Sequence, residues 1–149
     1  MPPTVNDMRM SLDDAQFFYE QLNPIVRGPE AEQDLETIRR YFRAYLHCWK
    51  AIIHYVREIR GFKDPQWIAW SNRWKQSLEQ GDAEIFDILR NSRDDDTHNQ
   101  TVQTRGQIAM GLFPLVMFVT RPGDERELVS CCDRGLVIAQ CLIRDHLLP

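Results

Sequence analysis

Apolar positions recur at helical spacing along most of the chain, and the most regular run ends at Gly61. Its members alternate steps of three and four residues: Leu35, Ile38, Phe42, Tyr45, Trp49, Ile52, Val56 and Ile59. Further apolar residues flank this seam on both sides: Tyr41, Cys48, Tyr55, Leu46 and Ile53. The apolar arc is therefore wider than a two-stranded coiled coil needs, and it predicts a helix of about thirty residues packed in a bundle.

Residues 1–28 precede this helix and predict a short helix or an N-terminal arm. Ser11 is suited to cap a helix that carries Phe17, Phe18 and Leu22. The dipeptide Asn23–Pro24 is expected to end that helix, because the residue before a proline disfavours helical geometry.

Start signals predict three more helices after Gly61. Asp64 is expected to cap one, with Pro65 in its first turn, Asp82 after Gly81 is expected to cap the next, and Asp124 is expected to cap the last. The segment around 102–122 mixes β-branched and aromatic residues with Gly and Pro, so it is either partly extended or a short buried helix. The pattern predicts one all-α domain spanning 1–149, a bundle of four to five helices with a possible short irregular or extended segment at 102–122.

The charge balance limits the function classes. With 149 residues, 43% apolar composition and a net charge of −4, the chain has no overall attraction to nucleic acid, so a polyanion site must be a local patch. One patch is visible on the polar side of the long predicted helix, where six cationic residues follow one another: Arg40, Arg43, His47, Lys50, His54 and Arg57. This stripe either receives phosphates or is a solvated face paired with carboxylates.

Other features favour an ordinary cytoplasmic protein. The N-terminus has no basic region followed by an apolar one, and the longest apolar run has twelve residues including Gly and Pro, so neither a secretory signal nor a membrane span is expected. The four cysteines make no metal-binding pair and are expected to be buried thiols: Cys48, Cys131, Cys132 and Cys141. Trp67, Trp70 and Trp74 are assigned to the core in preference to a surface that stacks on bases.

The stretch LRNSRDDDTHNQ, residues 89–100, concentrates candidate chemistry. The sequence has no phosphate-binding glycine loop, no HExxH, no zinc-type Cys/His spacing and no GxSxG, so the common cofactor and hydrolase signatures are missing. Asp94, Asp95, Asp96 and His98 offer metal ligands but lack the glycine and distant glutamate of a calcium loop. We therefore expect neither a metal nor a cofactor.

The wider segment IFDILRNSRDDDTHN resembles the signature of HEPN domains, in which an arginine, a polar residue, a short spacer and a histidine stand at the end of a helix. Here these are Arg93, Asp94, the spacer DDT and His98. The preceding WSNRWKQSLEQGDAEIFDILRN is similar to the helix pair that leads into this motif. The resemblance covers roughly residues 30–148, the HEPN-like core.

The resemblance implies a helical bundle that forms a homodimer, and a metal-independent endoribonuclease of the kind found in toxin–antitoxin or phage-defence systems. His98 would act as general acid or base, Arg93 would hold the phosphate, and Asp94 would support them. RNA would be bound by Arg90, Asn91, Arg105, Arg40, Arg43, His47 and Lys50.

One departure favours an alternative. Three consecutive aspartates between Arg93 and His98 put negative charge where a phosphodiester would dock, unless Arg90, Arg105 or the partner subunit compensates. The alternative is a non-catalytic helical interaction or regulatory module, an antitoxin-like protein or partner subunit. In that case Arg93 and His98 would cap a helix end and pair with aspartate.

Overall fold

Five helices and a small sheet make up the computed structural model, which describes residues 1–28, 34–97, 103–109, 113–121 and 124–149, with side chains for 1–28, 34–92 and 127–149. The order is α1 (Val5–Val26), α2 (Leu35–Arg60), α3 (Asp64–Lys75), α4 (Asp82–Thr97), β1 (Gln103–Ala109), β2 (Phe113–Arg121), β3 (Asp124–Glu127) and α5 (Leu128–Asp145). The predicted bundle of four to five helices is confirmed, and the segment around 102–122 is extended. The prediction of a single domain stays a prediction.

The N-terminal helix is longer than the sequence suggested. Thr4 and Asp7 form a capping box, in which the Asp7 amide donates to the Thr4 hydroxyl at 3.3 Å and the Thr4 amide donates to the Asp7 carboxylate at 2.6 Å. The helix also continues past Pro24, because the buried Val26 anchors its last turn against the core. The predicted cap at Ser11 and the end at Asn23–Pro24 were therefore wrong, and α1 is a 22-residue helix packed along α2.

Helix α2 forms as the apolar seam predicts. Six seam residues are buried, Ile38, Phe42, Tyr45, Trp49, Ile52 and Val56, and so are Leu46 and Ile53 beside them. Gly61 ends the helix in the left-handed conformation (φ 64°), where a residue with a side chain would be strained. The inner face of α2 packs against α1, α4 and α5 and is the centre of the bundle.

The extended segment is a three-stranded antiparallel sheet with strand order β1-β2-β3. In the β1–β2 ladder Arg105 pairs with Met117, and Ile108 pairs with Pro114. Strand β3 pairs with β2 from Met117 onward, beyond Pro114.

The cap of the last helix lies three residues later than predicted. Asp124 belongs to β3, and Glu127 caps α5 by accepting hydrogen bonds from the Val129 amide at 3.1 Å and the Ser130 amide at 2.7 Å. The expectation for Asp124 was wrong because three residues after it continue the strand ladder before the helix begins.

Two earlier helix starts also differ in detail from the sequence prediction. Asp64 is the first residue of α3 rather than its cap, which is Lys63. Asp82 is the first residue of α4, and its buried carboxylate accepts two hydrogen bonds from the Arg134 guanidinium, both at 2.7 Å. These hydrogen bonds raise the pKa of Arg134. The pair ties the start of α4 to α5.

A glycine allows three helices to meet closely. A Cβ atom at Gly135 of α5 would lie 2.5 Å from the Tyr45 hydroxyl oxygen and 2.6 Å from Leu89 Cδ1, closer than real atoms approach. The missing side chain lets the Tyr45 hydroxyl donate to the Cys132 carbonyl at 2.7 Å, and Trp49 Nε1 donate to the Gly135 carbonyl at 2.9 Å. These two bonds fix α2 against α5.

The tryptophans belong to the core, as expected. Trp67, Trp70 and Trp74 are each at most 5% exposed, and their rings stack in succession with centroids 5.9 Å apart. A surface that stacks on bases is thereby excluded for these three residues.

Of the cysteines, Cys131 and Cys132 are buried, whereas Cys48 and Cys141 are only partly so. None of the helices in the described part of the chain has the length and apolar character needed to cross a bilayer.

Candidate functional site

Positive charge is concentrated on one helix of this acidic chain. Helix α2 carries six of the 18 Lys and Arg residues and two of the four His, but only two of the 22 Asp and Glu residues. Its inner face is apolar, so most of the charged side chains lie on the other side, whereas Arg60 donates to the His146 and Leu148 carbonyls. The outer face of α2 is therefore locally cationic although the whole chain is not.

The predicted cationic stripe lies along this outer face. Arg40 has a side chain that is 75% exposed, and its Nε lies 3.6 Å from the Glu36 carboxylate, a distance at which the ion pair is weak. Arg43 and His47 are also exposed, one and two turns further along. Lys50 is half-buried on the same face.

A cleft of about 370 Å³ opens on the same face, along the second half of the stripe. Its lining combines four side chains that are or can become cationic with two apolar ones: His47, Lys50, His54, Arg57, Ala51 and Ile53. Ile53 is only 4% exposed and belongs to the core, so it forms the floor, while the cationic groups surround the opening. The cleft thus presents an apolar floor inside a cationic rim.

Acidic side chains hold the far end of the cleft in place. His54 Nε2 lies 2.7 Å from the Glu58 carboxylate one turn along the helix. Arg57 pairs through Nη2 with Asp64, the first residue of α3. A guanidinium has five N–H donors, so this pair occupies only part of its hydrogen-bonding capacity. The Arg57–Asp64 pair also connects the rim to the turn that begins α3.

At the N-terminal end of the stripe, the Glu36 carboxylate interacts with other residues of α2. Glu36 accepts a hydrogen bond from Arg39 at 2.6 Å, and this bond lowers the pKa of Glu36 below its usual range. Arg39 and Arg40 therefore both lie close to Glu36.

The residues proposed for catalysis lie at the end of α4. This helix ends at Thr97, so Arg93 and Asp94 belong to its last two turns. His98, the proposed general acid or base, lies outside the described residues, and so do the side chains of Arg93, Asp94 and Arg105. Of the other proposed RNA contacts, Asn91 is exposed and Arg90 is half-buried on α4. Arg105 belongs to β1, which packs against α2.

Contacts between helices indicate the direction that α4 takes. Phe86 packs its ring 5.5 Å from that of Trp49, and three residues later Leu89 lies beside Gly135 and the Tyr45 hydroxyl. As α4 proceeds it therefore moves from the middle of α2 toward its N-terminal half. That half carries the exposed Arg40 and Arg43.

Two lining residues of the cleft were missed by the sequence reading. Ala51 and Ile53 were not named as candidates, because Ile53 was assigned to the apolar arc and Ala51 carries no chemistry of its own. Their positions next to Lys50 and His54 were the available signal, since a small residue between long cations leaves space.

Within the described part of the chain no three His, Cys, Asp or Glu side chains cluster as a metal site would require.

Compared with protein-family models, with curated proteins and with solved structures, the chain matches none of them. The resemblance to HEPN domains therefore stays a prediction that rests on the residues of the motif. The cationic face of α2 and the end of α4 are the features that bear on function.

Proposed function

We propose that this protein is a metal-independent endoribonuclease that binds RNA along the outer face of α2. The observation that carries the proposal is the segregation of charge: a cationic stripe and a cleft with a cationic rim occupy one helix of a chain whose net charge is −4. A polyanion is the ligand class that such a surface attracts, since each bound phosphate releases counterions. The absence of an overall positive charge favours a local site over general binding to nucleic acids.

The cleavage step is assigned to the motif at the end of α4. His98 would take the proton from a ribose 2′-hydroxyl, whose oxygen then attacks the adjacent phosphorus. Arg93 would stabilise the negative charge that develops on the phosphoryl oxygens, and Asp94 would support the pair. The bond to the 5′-oxygen breaks, this oxygen receives a proton, and the products are a 2′,3′-cyclic phosphate and a 5′-hydroxyl. The reaction requires no metal.

The acidic spacer is the main objection to this assignment. Asp94, Asp95 and Asp96 would repel a phosphodiester. Arg90 lies one helical turn before Asp94 on α4 and would offset part of this charge. A homodimer would add a second set of the same cations. A toxin–antitoxin or phage-defence role, with a protein partner that restrains the enzyme, is part of this proposal.

The deciding experiment is cleavage of a mixed RNA pool in excess EDTA. The expected result is cleavage by the wild type that leaves 2′,3′-cyclic phosphate ends and is lost in both His98→Ala and Arg93→Ala. Helicity and urea midpoint must be unchanged in each variant, so that lost activity is not lost folding. Arg73→Ala, which removes an exposed cation from α3, is the matched control and should cleave normally.

Two results would contradict the proposal. Cleavage that survives in the folded His98→Ala variant would assign the chemistry to other residues or to a contaminant. No cleavage by a folded wild type would favour the non-catalytic interaction module, and the search would then turn to a protein partner.

A further inference from the structure

The cleft on α2 has two parts with different chemistry, and this division limits what can fill it. Its floor is formed by Ala51 and by Ile53, which is 4% exposed. Its rim carries His47, Lys50 and Arg57 together with His54. An inorganic anion would use the rim and leave the floor unused. A ligand that matches both parts has an anionic group attached to a flat or apolar body.

The size of the cleft agrees with such a ligand. A volume of about 370 Å³ lies at the lower end of the range typical of small-molecule sites, roughly 300–1,000 Å³. Lys50 and Arg57 are seven residues apart, so their attachment points are separated by about 10 Å along the helix axis. The distance between the two cations therefore matches the size of one small organic unit with its charged group. It is too short for an extended polymer.

We propose that this cleft seats one nucleotide unit of the RNA, with its phosphate held between Lys50 and Arg57 and its base against Ala51 and Ile53. The rings of His47 and His54 are at the rim, where imidazoles can stack on a base. The assignment of RNA as the parent ligand rests on the proposed function. The fit of a single nucleotide rests on the cleft alone.

The ion pair between Arg57 and Asp64 is compatible with this role. The pair uses one terminal nitrogen, Nη2, and connects the guanidinium to the first residue of α3. A planar guanidinium held by one carboxylate can still present N–H donors to phosphate oxygens. Asp64 would then be a positioning residue for Arg57, and the cleft would exist before any ligand arrives.

The test is isothermal titration of the full chain with adenosine and uridine monophosphates, with inorganic phosphate and with the parent nucleosides. A nucleoside monophosphate should bind tighter than both the inorganic phosphate and the nucleoside, because only it uses rim and floor together. The Lys50→Ala variant should weaken this binding about tenfold, as expected for loss of a hydrogen bond to a charged group.

The Ala51→Leu variant tests the contribution of the floor to binding separately from that of the rim. Leucine keeps the helix propensity high and leaves every charge in place, but its side chain fills the space above Ile53. The expected result is loss of nucleotide binding without loss of the weaker binding of inorganic phosphate. Arg73→Ala on α3 removes an exposed cation outside the cleft and should leave both affinities unchanged.

The outcomes distinguish this inference from the proposed function. Nucleotide affinity no higher than that of inorganic phosphate, or unaffected by Ala51→Leu in a folded variant, overturns the nucleotide site even if RNA is cleaved. Nucleotide binding that is sensitive to both Lys50→Ala and Ala51→Leu supports the site, and it does so even where no RNA is cleaved.

Discussion

The inner and outer faces of α2 make different kinds of interaction, although they lie on the same helical turns. On the inner face, Tyr45 and Trp49 are buried, and each donates a hydrogen bond to a carbonyl of α5. On the outer face, His47 and Lys50 lie two residues and one residue away from them and line an open cleft. The inner face is specified by shape, because a single added methyl group would collide there. The outer face is specified by charge.

This difference predicts whether a substitution should change the free energy of unfolding or the binding of a ligand. A close-packed interior transmits any change in volume, so inner substitutions should alter the free energy of unfolding. Exposed ion pairs contribute between about 0 and 1 kcal/mol, so outer substitutions should alter ligand binding and leave stability nearly unchanged. Four substitutions test this separation, in order of decreasing effect on stability.

Gly135→Ala should have the largest effect. The new Cβ would lie 2.5 Å from the Tyr45 hydroxyl oxygen and 2.6 Å from Leu89 Cδ1, so α2 or α4 must shift. We expect a loss of about 1–3 kcal/mol from overpacking. Helix propensity alone predicts the opposite sign, a gain of about 1 kcal/mol. Urea unfolding measures the difference, and Gln140→Ala, on the exposed side of α5, is the control. A stabilised Gly135→Ala variant would show that the three helices do not meet as described.

Tyr45→Phe should cost less, about 1 kcal/mol, because it removes one buried hydrogen bond and little volume. Combined with Gly135→Ala, it should also remove one of the two colliding atoms. The double variant is therefore expected to lose less stability than the sum of the single variants, which a double-mutant cycle measures. Strict additivity would mean that the Tyr45 hydroxyl does not limit the approach of α5.

Asp145→Asn tests a carboxylate at the edge of the core. Hydrogen bonds from Arg144 and from Trp74 lower the pKa of Asp145, although its partial burial acts in the opposite direction. A lowered folded-state pKa adds stability that is present above the ordinary carboxyl pKa of about 4 and is lost as the pH falls through the folded value.

The variant should therefore lose about 0.5 kcal/mol at pH 7, the lower end for a hydrogen bond, and lose less than the wild type when the pH is lowered below about 4. Urea midpoints measured across this pH range provide the check. Identical acid profiles of the two proteins would contradict the role given to Asp145.

Lys50→Ala should change stability least, by no more than about 0.5 kcal/mol, because Lys50 lies on the outer face. Its effect should appear in RNA binding, where loss of one phosphate contact reduces the salt dependence of the binding constant by about 0.7 on logarithmic axes. Filter binding at several salt concentrations measures this slope, with Arg73→Ala as the charge-matched control. A large loss of stability in Lys50→Ala would contradict the expectation that substitutions on the outer face leave the free energy of unfolding nearly unchanged.

The fold was predictable from sequence where its signals are local. The seam of α2 and Gly61 at its end predicted the longest helix, because both depend only on spacing within one segment. The start of α1 was also visible in principle, since Thr4 and Asp7 have the spacing of a capping box. The cap of α5 was not, because Asp124 is drawn into a strand by pairing with β2, a non-local interaction.

The candidate site was predictable in its charges but not in its shape. The column of cations on α2 follows from helical periodicity, and it lies where the sequence put it. The lining of the cleft lies entirely on α2, but the spacing of these residues does not by itself reveal its volume. The role of Gly135 depends on three helices at once, and such a feature arises from packing between segments that are distant in sequence.

The row of stacked tryptophans has an optical consequence. All four tryptophans of the chain are buried, three of them stacked in succession, while Phe86 packs against both Trp49 and Trp74. Fixed, asymmetric surroundings of this kind give aromatic rings a strong near-ultraviolet circular dichroism signal that disappears when tertiary packing is lost. Because none of these indoles lines the cleft on α2, the same signal should stay constant while that cleft is filled. The protein thus carries an internal reporter that detects unfolding and ignores occupancy of the cationic face.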